Sequence, residues 1–181
     1  MTKRSKAVFA LGFVFLVFSK NVASMDEVET HHILAAILIK VTHFIQWPEK
    51  ETKRNNVKLC FFGANKFGDS ISNAAEKHPY IVYPVKIFDV LLDVEGQCDI
   101  LFIDGSKKSE FEQVFRKLQD KPILTVSDIV GFEHSGGIME LGVSDNRLSI
   151  SINIESAKKA GLKIDSQLLF LSKGSSRGGG P

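Results

Sequence analysis

The sequence predicts an α/β domain: a mainly parallel sheet flanked by helices, with an antiparallel hairpin in the C-terminal half. Three observations predict it. Apolar runs at 57–62, 82–88, 98–103 and 123–126 have the length of buried strands. Helical patterns separate several of these runs, and such alternation implies parallel pairing with right-handed crossovers. Beyond Gly131 the alternation stops: 137–143, a turn at Ser144-Asp145-Asn146 and then 147–152 read as a hairpin.

Taken in order, the chain opens on a secretion leader. Lys3, Arg4 and Lys6 precede an apolar run at 7–18, and Val22-Ala23-Ser24 places small residues for cleavage after Ser24. The run is well short of the ~20 residues that span a bilayer. With neither a Leu-x-x-Cys lipobox nor paired arginines, the expected product is a soluble protein of a bacterial periplasm, a single domain over 25–172. A helix is predicted over 26–46. Asp26, Glu27 and Glu29 suit its positive end, Ala35-Ala36-Ile37-Leu38-Ile39 is apolar nearly all round, and Trp47-Pro48 stops it. A charged loop at 49–56 leads to the strand at 57–62, turned by Gly63. A short helix at 71–77 is broken by His78-Pro79. Pro84 marks the strand at 82–88 as an edge or a bulge. The strand at 98–103 closes at Asp104-Gly105.

The strongest helical signal follows. Ser109 and Glu112 read as a capping box, and Phe111, Val114, Phe115 and Leu118 form a continuous stripe. Lys121-Pro122 ends that helix ahead of the strand at 123–126. Asn153 caps a short helix at 154–160, stopped by Gly161. An apolar segment at 162–171 completes the domain, and the Gly/Ser-rich residues 173–181 are expected to be a disordered tail.

Composition excludes several functions. With 181 residues, a single domain can bury a real core. A net charge of +2, and no basic cluster interleaved with aromatics, argues against nucleic acid. The two cysteines, Cys60 and Cys98, would be buried thiols in a cytosol; in an oxidising compartment an even count suggests one disulfide. Closing the loop between them contributes roughly 4 kcal/mol in the entropic view. Neither cysteine has the His pair a zinc site needs. His32 and His43 share a predicted helix face but stand roughly three turns apart, and His31 and His32 diverge, so no metal is expected. No phosphate-binding loop and no Gly-x-Ser-x-Gly elbow is present, and Ser127 lacks the strand-turn-helix setting of a nucleophile. The chain is not expected to be an enzyme, and no cofactor is implied.

The stretch at 122–142 carries the main functional expectation. Gly131, Gly136 and Gly137 lie in a loop between strands, together with Asp128, Phe132 and His134. A structural turn held by an Asx bond at Asp128 explains these residues; so does a contact surface or a ligand rim. If the loop is a contact, Phe132 is its first candidate. Trp47, with Phe44 beside it, is a core anchor or an exposed aromatic contact, and Phe170 near the tail is a further candidate.

The order of motifs resembles a known family. The run from Ala35-Ala36-Ile37-Leu38-Ile39 to Phe44-Ile45-Gln46-Trp47-Pro48 is similar to the opening of the YfiR-like periplasmic proteins. Leu59-Cys60, Gln97-Cys98-Asp99 through Ile103, Leu124-Thr125-Val126-Ser127-Asp128, Gly131-Phe132 and Gly136-Gly137-Ile138 follow in that family's order, as do Ile152-Asn153, Ala157, Ala160-Gly161-Leu162 and Leu168-Leu169. The resemblance implies a small α/β domain without catalysis. It implies a protein that represses a membrane diguanylate cyclase, in cyclic-di-GMP signalling, by binding that enzyme's periplasmic sensor region. A sensor kinase is the other membrane partner considered, an outer-membrane lipoprotein is a second partner, and a homodimer is compatible with both. Cys60 and Cys98 fall where the family carries a paired cysteine; a second pair found in its named member is absent. A small-molecule sensor subunit, with the 128–137 loop as pocket rim, is the alternative function.

Overall fold

A computed structural model describes residues 27–48, 56–78, 81–88, 94, 96–144 and 147–175. The expected leader at 1–24, most of the charged loop at 49–56, Asp145-Asn146 of the hairpin turn and the tail beyond 175 lie outside the described residues.

The elements run α1 (Glu27–Lys40), β1 (Ile45–Gln46), β2 (Val57–Phe62), α2 (Asp69–Glu76), β3 (Ile81–Phe88), β4 (Ile100–Ile103), α3 (Phe111–Leu118), β5 (Leu124–Ser127), β6 (Met139–Ser144), β7 (Arg147–Ile152), α4 (Ile154–Lys159), β8 (Lys163–Ile164) and α5 (Ser166–Ser175). The main sheet has six strands in the order β3-β2-β4-β5-β6-β7. All neighbours pair in parallel except β6 and β7, an antiparallel hairpin closed at Ser144 and Arg147. β1 and β8 form a separate antiparallel pair. The expected fold class is what is observed.

The inner strands are mostly apolar, and β4 wholly so, because both their faces are covered. Alternate residues point to opposite sides. Leu59 and Phe61 of β2, with Ile100 and Phe102 of β4, join a core that includes α1, α2 and α5. Cys60 and Phe62, with Leu101 and Ile103, join a second core under α3. Pro84 sits on the edge strand, within a register shift between the pairs Lys58–Val82 and Cys60–Lys86. A residue without an N–H is tolerated there.

Four local expectations need correction. The first helix ends at Lys40 rather than 46. Val41–Phe44 forms a 3-10 turn, the Thr42 hydroxyl donates to the Ile39 carbonyl at 2.7 Å, and the chain goes extended so that Ile45 can pair with Ile164. Pairing with a distant strand overrides local helix propensity here. The Ser109–Glu112 capping box does not form, because Gly105–Glu110 is itself a 3-10 helix. Its cap is Asp104, whose carboxylate accepts from the Ser106 amide at 3.0 Å. The strand expected from Cys98 begins at Ile100. The segment at 162–171 divides into β8 and α5, and α5 runs through Ser175, so the first residues assigned to the tail are helical. Asn153 does cap α4, accepting from the Ser156 amide at 2.9 Å.

Candidate functional site

The loop between β5 and β6 is built inward. The Ser127 hydroxyl donates to the Ile103 carbonyl at 2.8 Å and accepts from the Ile129 amide at 3.3 Å. Glu140 on β6 accepts from the amides of Gly131 at 2.8 Å and Phe132 at 3.0 Å. These bonds hold the turn. Asp128, expected to make an Asx bond, instead forms an ion pair with Lys66. Phe132 is 0% exposed. Its ring meets Phe111 at 5.1 Å and Phe115 at 5.4 Å between centroids, edge to face. It is a core residue, and its selection as an exposed contact is corrected. Two of the loop's glycines make this packing possible. A Cβ on Gly137 would clash with the Phe132 ring, at 2.1–2.5 Å from its atoms, and one on Gly136, where φ is +111°, would meet Phe115 at 3.2 Å. Gly137→Ala is expected to destabilise the domain by about 1–3 kcal/mol through overpacking, measured by urea unfolding; an unchanged midpoint would show that the ring has room to move.

Above this aromatic cluster lies an open groove of about 510 Å³ between α3, the glycine loop and α4. Phe111, Phe115, Leu118, Ile123 and Ile138 give it an apolar floor. Lys108, Arg116 and Lys159 stand around it with one carboxylate, Glu112, 3.6 Å from Arg116. The walls are tied together. Asn153 donates through Nδ2 to the Glu133 carbonyl at 2.8 Å, and the Ser156 hydroxyl donates to the Gly136 carbonyl at 3.0 Å.

In a parallel sheet the usual ligand crevice is the one outside the carboxyl ends of the strands, where the strand order reverses. Here that is the end of β2 and β4, where side chains crowd Gly63. A Cβ on Gly63 would meet Lys107, Asp104 and Ser106 within 3.0–3.1 Å. Burial raises the Asp104 pKa, but hydrogen bonds from the Ser106 hydroxyl and amide, the nearby Lys66 charge and the Gly105 amide outweigh it and hold the carboxyl below its usual range. The cluster packs closely over the ends of these two strands.

The other predicted residues are scattered. His134 is exposed, its Nδ1 2.7 Å from Glu133. Trp47 is half-buried against the larger core, as an anchor, and its enclosed indole N–H finds no hydrogen-bond acceptor among the described residues. Phe170 is 78% exposed on α5, next to Leu171 at 55%. With Phe44, Ser166 and Gln167 they line a shallow depression of about 440 Å³. Cys60 and Cys98 are joined in a disulfide that lies in the second core. Among the described residues no group of three or more His, Cys, Asp or Glu side chains could hold a metal, and no helix is long and apolar enough to cross a membrane.

A family model described as YfiR/HmsC-like (DUF4154) matches residues 31–173. The chain belongs to the YfiR/HmsC-like family. The match takes in both cysteines, the glycine loop, the groove and most of α5. In this YfiR/HmsC-like chain the groove cations are far apart in sequence, since Lys108 precedes α3 and Arg116 lies on it, while Lys159 lies on α4. The return of the chain through the β6–β7 hairpin brings them together. The Phe111–Phe115 stripe was the available signal, and it pointed to core packing alone.

Proposed function

We propose that the chain is a secreted periplasmic regulator that binds the periplasmic part of an inner-membrane signalling enzyme and holds that enzyme inactive. A diguanylate cyclase is the first choice of partner and a sensor kinase the second. Membership of the YfiR/HmsC-like family supports this reading. The observation that carries it in the structure is the exposed apolar pair on α5, Phe170 and Leu171, beside Phe44. A regulator without catalysis can act only by binding one conformation better than another. Shifting an enzyme from mostly active to mostly inactive takes about 5.5 kcal/mol of differential affinity. A chain of net charge +2 is poorly equipped to find that in electrostatics. An aromatic anchor surrounded by polar residues is a better source.

With Phe132 in the core, Phe170 is the contact residue of choice. Phe170→Ala is expected to weaken binding to the partner's isolated periplasmic domain by about 2 kcal/mol or more, while circular dichroism and thermal unfolding stay unchanged. Titration calorimetry checks it. Equal affinity for the variant would move the contact off α5.

A further inference from the structure

We propose that the groove between α3 and α4 binds a small amphipathic anion, an acidic head on an apolar body, a property that goes beyond regulation by protein contact. Its volume of about 510 Å³ falls among those of small-molecule sites. The lining dictates the chemistry. Phe111, Phe115, Leu118, Ile123 and Ile138 offer only apolar contact. The hydroxyl protons of Ser135 and Ser156 are already given to the carbonyls of Gly131 and Gly136, at 2.8 and 3.0 Å. Ser109, Gln119 and Thr125 are further polar side chains of the lining, and the five apolar side chains favour a ligand with an apolar body.

Charge sets the head group. Lys108, Arg116 and Lys159 line the groove with one carboxylate, Glu112, and the exposed Glu155 carboxylate on α4 lies near Lys159. The whole chain carries 23 basic and 21 acidic side chains, so positive charge is concentrated here. The Glu112–Arg116 pair is largely exposed on both sides and weak, and it leaves the guanidinium able to turn to a ligand. Clefts lined by one sign of charge draw in ligands of the other. The site is also pre-formed. The buried Phe132 supports Phe111 and Phe115 from below, and the Asn153 and Ser156 bonds fix the opposite wall.

The test uses the mature protein and the fluorescent probe 8-anilinonaphthalene-1-sulfonate. One saturable site per chain is expected, with the probe displaced by decanoate and not by decylamine. The double variant Lys108→Glu/Lys159→Glu should weaken probe binding tenfold or more, whereas Lys163→Glu, an exposed charge on β8 outside the groove, should leave it unchanged. Because the probe could also settle on α5, Phe170→Ser is run in parallel, and it should retain the site. The proposal is overturned by an absence of saturable binding, by equal displacement with decylamine, by full affinity in the double variant, or by loss of the site in Phe170→Ser.

Discussion

Phe132→Ala is expected to lower folding stability by about 3–5 kcal/mol, the range for truncating a fully buried phenylalanine. The ring is enclosed by Phe111 and Phe115, with Gly137 close beneath it. The loop around it is fixed by Glu140 and Ser127, so it cannot readily collapse into the space left behind. The cavity term then adds to the lost transfer energy. Urea unfolding followed by circular dichroism reads the change. Partner affinity of the molecules that remain folded should be near that of the parent, because the ring meets no solvent. A stable variant with lost affinity would return Phe132 to the surface.

Removing the disulfide is the other large effect. Cys60→Ala/Cys98→Ala is expected to cost about 2–5 kcal/mol. The bridge spans a sequence separation of 38 and joins β2 to the turn just before β4. It does not act alone there. The buried Asp99 carboxylate accepts from the Lys58 amide at 2.7 Å, and the Asp99 amide donates to the Lys58 carbonyl at 2.8 Å. These bonds keep β2 and β4 in register when the bridge is cut, so the variant should fold to the same structure with a lower unfolding midpoint. An unchanged midpoint, or loss of the native circular dichroism spectrum without denaturant, would contradict this.

Both effects show where the sequence was informative. The runs that became β2, β4 and β5 were legible because strands covered on both faces are mostly apolar, and the buried Thr125 and Ser127 of β5 keep hydrogen bonds there. The hairpin and the Asn153 cap were legible because each depends on near neighbours. What was missed depended on distant partners. The first helix stops early because Ile45 pairs with Ile164 across most of the chain. The capping box at Ser109 gave way to Asp104, whose cap starts a 3-10 helix upstream.

The glycine loop left a structural turn and a contact surface both standing for a different reason. Gly136 and Gly137 signal close approach, but not of what; the answer lies in Phe115 on α3 and in Phe132 of the loop itself. The end of α5 was hidden by composition, since Gly174 and Ser175 read as tail and nevertheless complete the helix. Phe170 was identified as a candidate contact from its place near the tail, and it is exposed. The groove was invisible as a site because Lys108 and Arg116 lie on the β4–β5 crossover while Lys159 lies on α4, beyond the hairpin.

The central claim is that this protein acts by holding a membrane signalling enzyme. The most direct measurement is capture: the mature protein and its Phe170→Ala variant are each immobilised and exposed to detergent-solubilised inner membrane, and bound proteins are identified by mass spectrometry. The expected result is an inner-membrane protein with a periplasmic sensor region and a cytoplasmic diguanylate cyclase or kinase domain, enriched by the parent and depleted by the variant. Capture of no such protein by the parent would contradict the account.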